Sequence, residues 1–156
     1  MIVITGATGN IGRKITTSLL SQGRKVRVVG RDAGRLAGFA AQGAETAVGD
    51  LRDVPFLTQA FSGATAAFAL IPPNVSAADF RAYQNEVGAG IAVAIQNSGV
   101  AHIVNLSSQG AHLTEGTGPV KGLHDQEERL NRLPDVNILH VRPTYFMENL
   151  LMNIPL

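Results

Sequence analysis

The sequence predicts a parallel β-sheet that is covered by helices on both faces. Short, nearly continuous apolar runs rich in Val, Ile and Ala alternate with longer segments whose apolar residues recur every three to four positions. Strands buried on both faces have this apolar character, and right-handed crossovers place the connecting helices on the two sides of the sheet. We therefore predict an α/β fold with a doubly wound (Rossmann) parallel sheet of about six strands and helices on both faces.

The pattern places each element in turn. Strands are predicted at about 2–5, 25–29, 45–48, 66–70, 101–106 and 136–141. Helices are predicted at about 10–22, 33–42, 53–61, 77–98 and 122–132. Residues 107–122 interrupt the alternation as a Gly-rich polar loop, and connections of this length often carry function.

Length and composition favour one domain and exclude several kinds of site. The chain has 156 residues, of which 45% are apolar, and this is enough for a core that folds alone. The net charge is +1 and the 13 Lys and Arg residues are scattered, so neither nucleic acid nor a membrane surface is expected as a partner. The absence of cysteine excludes disulfides and thiol catalysis. No leader peptide and no apolar run of roughly 20 residues is found, so a cytoplasmic protein is expected.

The stretch "TGATGNIGRK" (5–14) places glycines at three-residue spacing directly behind the first predicted strand. Gly6 would permit a tight turn, Gly9 would let a bulky ligand approach the backbone, and Gly12 would let the helix pack closely on the strand. The first N–H groups of the helix would then face an anion, which we predict to be the pyrophosphate of a dinucleotide. An ordinary tight turn is the alternative. The predicted cofactor contacts in this loop are Gly6, Thr8, Gly9, Asn10, Ile11 and Gly12.

The end of the second predicted strand indicates which dinucleotide is bound. NAD sites usually place a carboxylate there for the ribose 2′-hydroxyl, whereas NADP sites admit the 2′-phosphate beside an arginine. This chain has Gly30 at the acidic position and Arg31 next, which favours NADP(H) over NAD(H). Arg31 would pair with the phosphate, with Arg13 as a second cation, and a solvated surface charge is the alternative for Arg31. Asp32 is expected to cap the following helix.

Seven motifs make the chain resemble a known family. They are "TGATGNIGR", "GRD", "VGDLRD" (48–53), "LIPP" (70–73), "HIVNLSSQGA" (102–111), "KGLHDQEERL" (121–130) and "ILHVRPTYFMENL" (138–150). In this order and spacing they are similar to an atypical short-chain dehydrogenase/reductase of the NmrA-like group, closest to its NADPH-dependent quinone oxidoreductase (azoreductase-like) branch. The resemblance implies one NAD(P)-binding Rossmann domain over residues 1–156, with the C-terminal substrate lobe of the family absent or truncated.

The resemblance also implies further cofactor contacts. These are Asp50 and Leu51 at the adenine, Leu70, Ile71 and Pro72 along the ribose, Ser107 and Ser108 near the nicotinamide, Lys121 at its ribose hydroxyls, and Pro143 to Phe146, with Tyr145, on its far face. For Asp50, a helix N-cap for 53–61 is the alternative.

One position departs from the family pattern. Typical short-chain reductases use a tyrosine four residues before the catalytic lysine, because a phenol acidified by the ammonium can protonate the reduced carbonyl. Thr117 stands there, before Lys121, so ketone–alcohol chemistry is not expected. Quinone reduction needs mainly positioning against the nicotinamide. The catalytic candidates are Lys121, His124 and Tyr145, with a structural histidine and a packed core tyrosine as the alternatives for the last two.

Two functions from different classes remain open. The first is an NADP(H)-binding oxidoreductase that passes hydride to a quinone or similar small electrophile. The second is a non-catalytic NADP(H) redox sensor of the NmrA type. An epimerase or dehydratase with tightly held NAD is disfavoured by Gly30, Arg31 and the missing tyrosine.

Three further expectations concern charged and apolar side chains. No metal is expected, because the four histidines lack ligand spacing: His102, His112, His124 and His140. Glu127 and Glu128 are expected on a solvated helix face, where they would pair with Arg129 and Arg132. The C-terminal segment "FMENLLMNIPL" would leave apolar side chains exposed, which suggests a missing lobe or a homo-oligomer: Phe146, Leu150, Leu151 and Ile154.

Overall fold

The computed structural model describes residues 1–153, with side chains described through residue 150. Its strands are β1 (Ile2–Thr5), β2 (Val26–Gly30), β3 (Glu45–Val48), β4 (Ala66–Leu70), β5 (His102–Leu106) and β6 (Asn137–Val141). Its α-helices are α1 (Asn10–Ser21), α2 (Ala33–Ala40), α3 (Val54–Phe61), α4 (Phe80–Ser98) and α5 (Lys121–Leu130). Short 3-10 helices span Gly118–Val120 and Met147–Asn153.

All neighbouring strands pair in parallel, in the order β3-β2-β1-β4-β5-β6. The chain runs outward from β1 to β3 and then returns to the other side of β1 with β4, so the strand order reverses between these two strands. Ligands of open α/β sheets bind in the crevice that such a reversal leaves at the carboxyl ends of the strands. The predicted doubly wound fold is confirmed.

Alternate strand residues divide the core between the two faces of the sheet. Val3 belongs to the cluster with α3, α4 and α5, whereas its neighbour Ile4 belongs to the cluster with α1 and α2. Side chains that alternate between two buried faces explain why the strands read as continuously apolar.

Most predicted boundaries lie within a few residues of the observed ones. The largest difference is at α4, predicted from 77 but beginning at Phe80, because the Asp79 carboxylate caps it by accepting the Ala82 N–H at 2.8 Å. Asp32 caps α2 as predicted and accepts the Arg35 N–H at 3.2 Å.

Candidate functional site

The glycine loop lies at the carboxyl end of β1, where the strand order reverses. Gly6 has φ +63°, and a Cβ there would lie 2.9 Å from Leu70 Cδ2 on β4. A Cβ at Gly12 would overlap the Gly6 carbonyl oxygen and lie 2.8 Å from its carbonyl carbon. Both glycines are therefore required by the local packing.

Gly9 differs from the other two glycines of the loop. It has an extended backbone, with φ −81° and ψ 172°, and a Cβ would meet only the Gly6 oxygen, at 3.3 Å. Gly9 is exposed. The fold alone would accept a side chain at this position after a small shift. Because glycine has no side chain, the backbone here is open to a ligand.

The first turn of α1 keeps its N–H groups without a side-chain cap, in contrast to the next three helices. Those helices are capped by Asp32, Asp53 and Asp79. Within the described chain α1 begins after Gly9 with no capping side chain and no acidic residue in its first turn. The positive end of the helix is therefore not neutralised by protein, and it can attract an anion.

The remaining loop residues contribute unequally to this surface. Thr8 is partly buried and Asn10 is exposed, whereas the Ile11 side chain packs towards the core beneath α1. Arg13 is exposed in the first turn, with a guanidinium nitrogen 3.5 Å from the Thr8 carbonyl oxygen. Ile11 can thus offer a ligand its backbone N–H but not its side chain.

Asp50 and Arg31 lie together at the carboxyl ends of β2 and β3. Asp50 accepts the backbone N–H of Arg52 at 2.9 Å and its guanidinium N–H groups at 3.0 and 2.9 Å. These bonds, with a smaller contribution from the charge of Arg31, lower the pKa of Asp50 from 3.8 to about 2. The N-cap alternative for Asp50 is wrong, because Asp53 caps α3 by accepting the Phe56 N–H at 3.1 Å.

Tyr83 and Arg52 belong to the same end of the crevice, and sequence reasoning missed both. Burial raises the pKa of Tyr83, while the charges of Arg31 and Arg52 oppose that rise. The phenol on α4 is therefore within electrostatic range of both guanidinium groups. Leu51 packs partly buried against the core, so its contribution here is apolar.

The carboxyl end of β4 passes directly beside the glycine loop. The Thr5 hydroxyl donates to the Phe68 carbonyl and accepts the Leu70 N–H, both at 3.2 Å. Leu70 lies against Gly6, whereas the Ile71 side chain is buried in the core. Of the predicted ribose contacts, Ile71 can therefore present only its backbone, and Pro72 is partly buried.

The segments after β5 and β6 meet at the other end of the crevice. The Ser107 N–H donates to the Val141 carbonyl and the Gln109 N–H to the Pro143 carbonyl, both at 2.8 Å. The Ser107 hydroxyl is buried and has no hydrogen-bond partner among the described residues. Tyr145 is 59% exposed, so the alternative of a packed core tyrosine is wrong.

Lys121 and His124 occupy the first turn of α5. Lys121 is partly buried and makes no ion pair with any residue that the structure describes. The His124 Nδ1 lies 2.7 Å from the Ala111 carbonyl oxygen, which can only accept, so Nδ1 carries the proton. Nε2 is then the ring nitrogen that remains free to bind a ligand. Thr117 directly precedes the 3-10 helix that leads into α5, and its buried hydroxyl makes no capping bond and lacks a partner in the described chain.

Glu127 is not on a solvated face, and that prediction is wrong. It is 3% exposed and receives Nε of Arg142 at 2.9 Å together with the Arg142 Nη2. Burial alone would raise its pKa, but the hydrogen bonds from Arg142 hold the pKa below its ordinary value. The sequence did contain a signal for this burial. Glu127 is four residues after Leu123 and three before Leu130, so it lies on the same helical stripe as these apolar residues. Glu128 is exposed, as predicted.

The remaining expectations about ligands and surfaces have mixed outcomes. No three His, Cys, Asp or Glu side chains within residues 1–150 are grouped so that they could hold a metal ion. No helix of the described part is long and apolar enough to cross a membrane. Phe146 and Leu150 are exposed as expected, at 38% and 48%, while the Leu151 side chain and Ile154 lie outside the described residues.

Comparison with known proteins gives a family and several relatives. The model of the NmrA-like family matches residues 1–156. An NAD(P)H azoreductase of Xenophilus azovorans is 28% identical over 154 residues, which are 97% of this chain and 50% of the relative. A (4-alkanoyl-5-oxo-2,5-dihydrofuran-3-yl)methyl phosphate reductase of Streptomyces griseus is 30% identical over 155 residues, which are 99% of this chain and 51% of the relative. The chain therefore spans about half the length of these relatives.

Solved structures agree on the fold. The triphenylmethane reductase of Citrobacter sp. in complex with NADP(H) superimposes with a TM-score of 0.84 at 22% identity, over 96% of this chain and 51% of that one. An NADPH-dependent quinone oxidoreductase of Escherichia coli in complex with NADPH gives 0.82 at 22% identity, over 98% of this chain and 52% of that one. The family match covers the whole chain, as the seven motifs predicted, and the chain belongs to the NmrA-like family.

Proposed function

We propose that this chain forms the NADP(H)-binding domain of an oxidoreductase that passes hydride to a quinone or a similar small electrophile. The observation that carries the proposal is the open backbone at Gly9 beside the uncapped N-terminus of α1. The names of an azoreductase and a phosphate reductase among the relatives support a reductase. The family's C-terminal substrate lobe, a homo-oligomer and a cytoplasmic location stay predictions.

The residues of the crevice fit the two halves of the cofactor. The loop and the first N–H groups of α1 would hold the pyrophosphate, since donors and helix dipole both favour an anion there. Both oxygens of the Asp50 carboxylate already bind the guanidinium of Arg52. Arg31 forms no ion pair among the described residues, so its guanidinium is available for the 2′-phosphate. Ser107, whose N–H is bonded to the Val141 carbonyl, would lie at the nicotinamide end.

The nicotinamide supplies the hydride when it is bound, and this chain's residues orient the acceptor and move protons. The Thr117 hydroxyl is too weak an acid to replace the family tyrosine, which favours an acceptor that needs little proton assistance. His124 has one nitrogen held by the Ala111 carbonyl, so only Nε2 can exchange a proton with a ligand. We propose Lys121 as the group that binds the ribose hydroxyls and Tyr145 as a face against the ring.

A redox sensor without turnover remains the second proposal, because Thr117 stands where the family tyrosine would supply acid. A sensor needs unequal affinity for NADPH and NADP⁺, since a ligand shifts a conformational equilibrium only through its differential affinity. An enzyme instead consumes NADPH when a quinone is added. Absorbance of the reduced nicotinamide during incubation with a quinone separates the two proposals.

The experiment that tests the cofactor proposal is calorimetric titration of the chain and of Arg31→Ala with NADPH and with NADH. The substitution should weaken NADPH binding by roughly 1–3 kcal/mol, the value of a charge-assisted hydrogen bond, and NADH binding much less. Arg35→Ala is the matched control, because Arg35 is an exposed arginine on the adjacent α2. Equal losses for both nucleotides would remove the argument for NADP(H).

A further inference from the structure

The nicotinamide end of the crevice is built from two segments that are tied to each other by backbone bonds. Ser107 and Gln109, after β5, donate their N–H groups to the carbonyls of Val141 and Pro143, at the end of β6. These bonds continue the β5–β6 pairing beyond the last strand residues. The placement of the two segments therefore depends on what holds the end of β6, which is the edge strand of the sheet.

The end of β6 is held by one ion pair from α5. Arg142 directly precedes Pro143, and its Nε and Nη2 both bind the Glu127 carboxylate. A bidentate guanidinium–carboxylate pair fixes orientation as well as distance. Glu127 is nearly fully buried and the Ser107 hydroxyl faces it, without reaching hydrogen-bond geometry. One carboxylate thus binds the end of β6 and lies near the segment that follows β5.

A second set of hydrogen bonds, without an ion pair, joins β5, β6 and the end of α5. It lies one residue pair before the ends of the two strands. Asn105 and His140 are paired in register across β5 and β6, with Asn105 Nδ2 3.1 Å from His140 Nδ1. The His140 Nε2 lies 3.0 Å from Asn131 Oδ1, just after α5. The amide donates to Nδ1, so Nε2 carries the proton and donates to Asn131. This second tie fixes the strands but does not reach the segments that follow them.

We propose that Glu127 and Arg142 form a positioning pair that sets the affinity for the nicotinamide half of NADP(H) and leaves the adenine half unaffected. This inference rests on the proposed function. The adenine half would lie on β1, β2 and β3, on the other side of the strand reversal, where Asp50, Arg52 and Arg31 form a separate charged cluster. A buried ion pair often adds little to the stability of a fold. The buried charge of Glu127 is therefore better explained by the orientation that the pair gives to the end of β6.

The test compares two ligands that differ only in the nicotinamide. NADPH and 2′-phospho-ADP-ribose, which lacks that ring, are titrated into the chain and into Glu127→Gln. We expect the Kd for NADPH to rise about tenfold, and the Kd for 2′-phospho-ADP-ribose to change less than about twofold. The fluorescence of bound NADPH should fall as well, because the ring is held less rigidly. Equal changes for both ligands, or no change, would overturn the proposal.

Asp125→Asn is the matched control. It removes a carboxylate from the same helix and breaks a comparable pair, in which Arg81 Nε and Nη2 lie 2.8 and 2.9 Å from Asp125. That pair joins α5 to α4 and does not touch β6, so both affinities should stay unchanged. If Glu127→Gln fails to fold, Arg142→Lys retains the charge and removes the fork, and the same selective loss is expected of it.

Amide hydrogen exchange separates a failure of this inference from a failure of the proposed function. Without any ligand, Glu127→Gln should speed exchange at Ser107 and Gln109 at least several-fold, while Asp125→Asn should not. Unchanged exchange at these two amides would overturn the positioning role even if NADPH binds. If Glu127→Gln speeds exchange at these amides but the unaltered chain binds no NADPH, the proposed function is contradicted. The role of Glu127 in holding the two segments would then still stand.

Discussion

Replacement of Gly9 by alanine separates a ligand-binding loop from an ordinary turn. The backbone at Gly9 is extended, so alanine adopts it without strain, and the added Cβ meets only the Gly6 carbonyl oxygen at 3.3 Å. The neighbour needs to move by a few tenths of an ångström. We therefore expect the free energy of unfolding to change by less than about 1 kcal/mol.

The effect of the same methyl group on the cofactor should be much larger. It would stand on the open backbone where the pyrophosphate approaches the first N–H groups of α1. Displacing the phosphate from one or two charge-assisted hydrogen bonds costs roughly 1–3 kcal/mol, which corresponds to an increase in Kd of about 5- to 150-fold. The expected result is a folded protein with greatly weakened binding.

Two other glycines provide the comparison in the same assays, which are thermal denaturation and calorimetric titration with NADPH. Gly12→Ala would overlap backbone atoms of Gly6 and Ala7, so we expect it to destabilise the fold by about 1–3 kcal/mol or more. Gly38→Ala, inside α2, meets nothing within 4 Å and should stabilise the helix by about 0.5–1 kcal/mol with unchanged affinity. Undiminished affinity of Gly9→Ala for NADPH would refute the assignment of the loop.

Two further predictions concern protons. The pKa of Asp50 is lowered to about 2 in the folded chain, so the Asp50–Arg52 pair contributes stability above pH 3.8 and loses it as the pH falls towards 2. The difference in melting temperature between the unaltered chain and Asp50→Asn should shrink between pH 5 and 2, and a constant difference would contradict the pairing. His124→Gln should lower kcat for quinone reduction roughly 10²-fold while the Kd for NADPH stays the same, as expected for a residue that exchanges a proton with the ligand through Nε2. Equal kcat values for the unaltered chain and His124→Gln at every pH would indicate that His124 has only a structural role, in which it binds the Ala111 carbonyl.

Local sequence was enough for the fold and for the glycine loop. Each strand is a short apolar run, and the requirement for glycine at Gly6 and Gly12 arises within a few residues of the turn itself. The helix cap at Asp32 is equally local, since a side chain bonds a backbone N–H three residues ahead. Features that depend on neighbours in the chain are thus readable from the order of residues.

Helix α5 shows where local reading failed. Its charged residues suggested a solvated face, yet Glu127 points towards β6 and binds Arg142, 15 residues further along the chain. The position of Leu123 and Leu130 on the same helical stripe was the available signal that Glu127 is buried. A buried carboxylate, however, needs a cation or another partner beside it. That cation comes from another element, so the pairing needed the tertiary structure.

The sequence alone determined the alternation of strands and helices, the glycine loop and the family to which the chain belongs. Only the tertiary structure decided that Asp50 pairs with Arg52, that Tyr83 lies within electrostatic range of this pair, and that Glu127 binds the end of β6. The physical reason is range: periodicity and turn geometry act over a few residues, whereas burial and ion pairing depend on which distant elements the sheet order brings together.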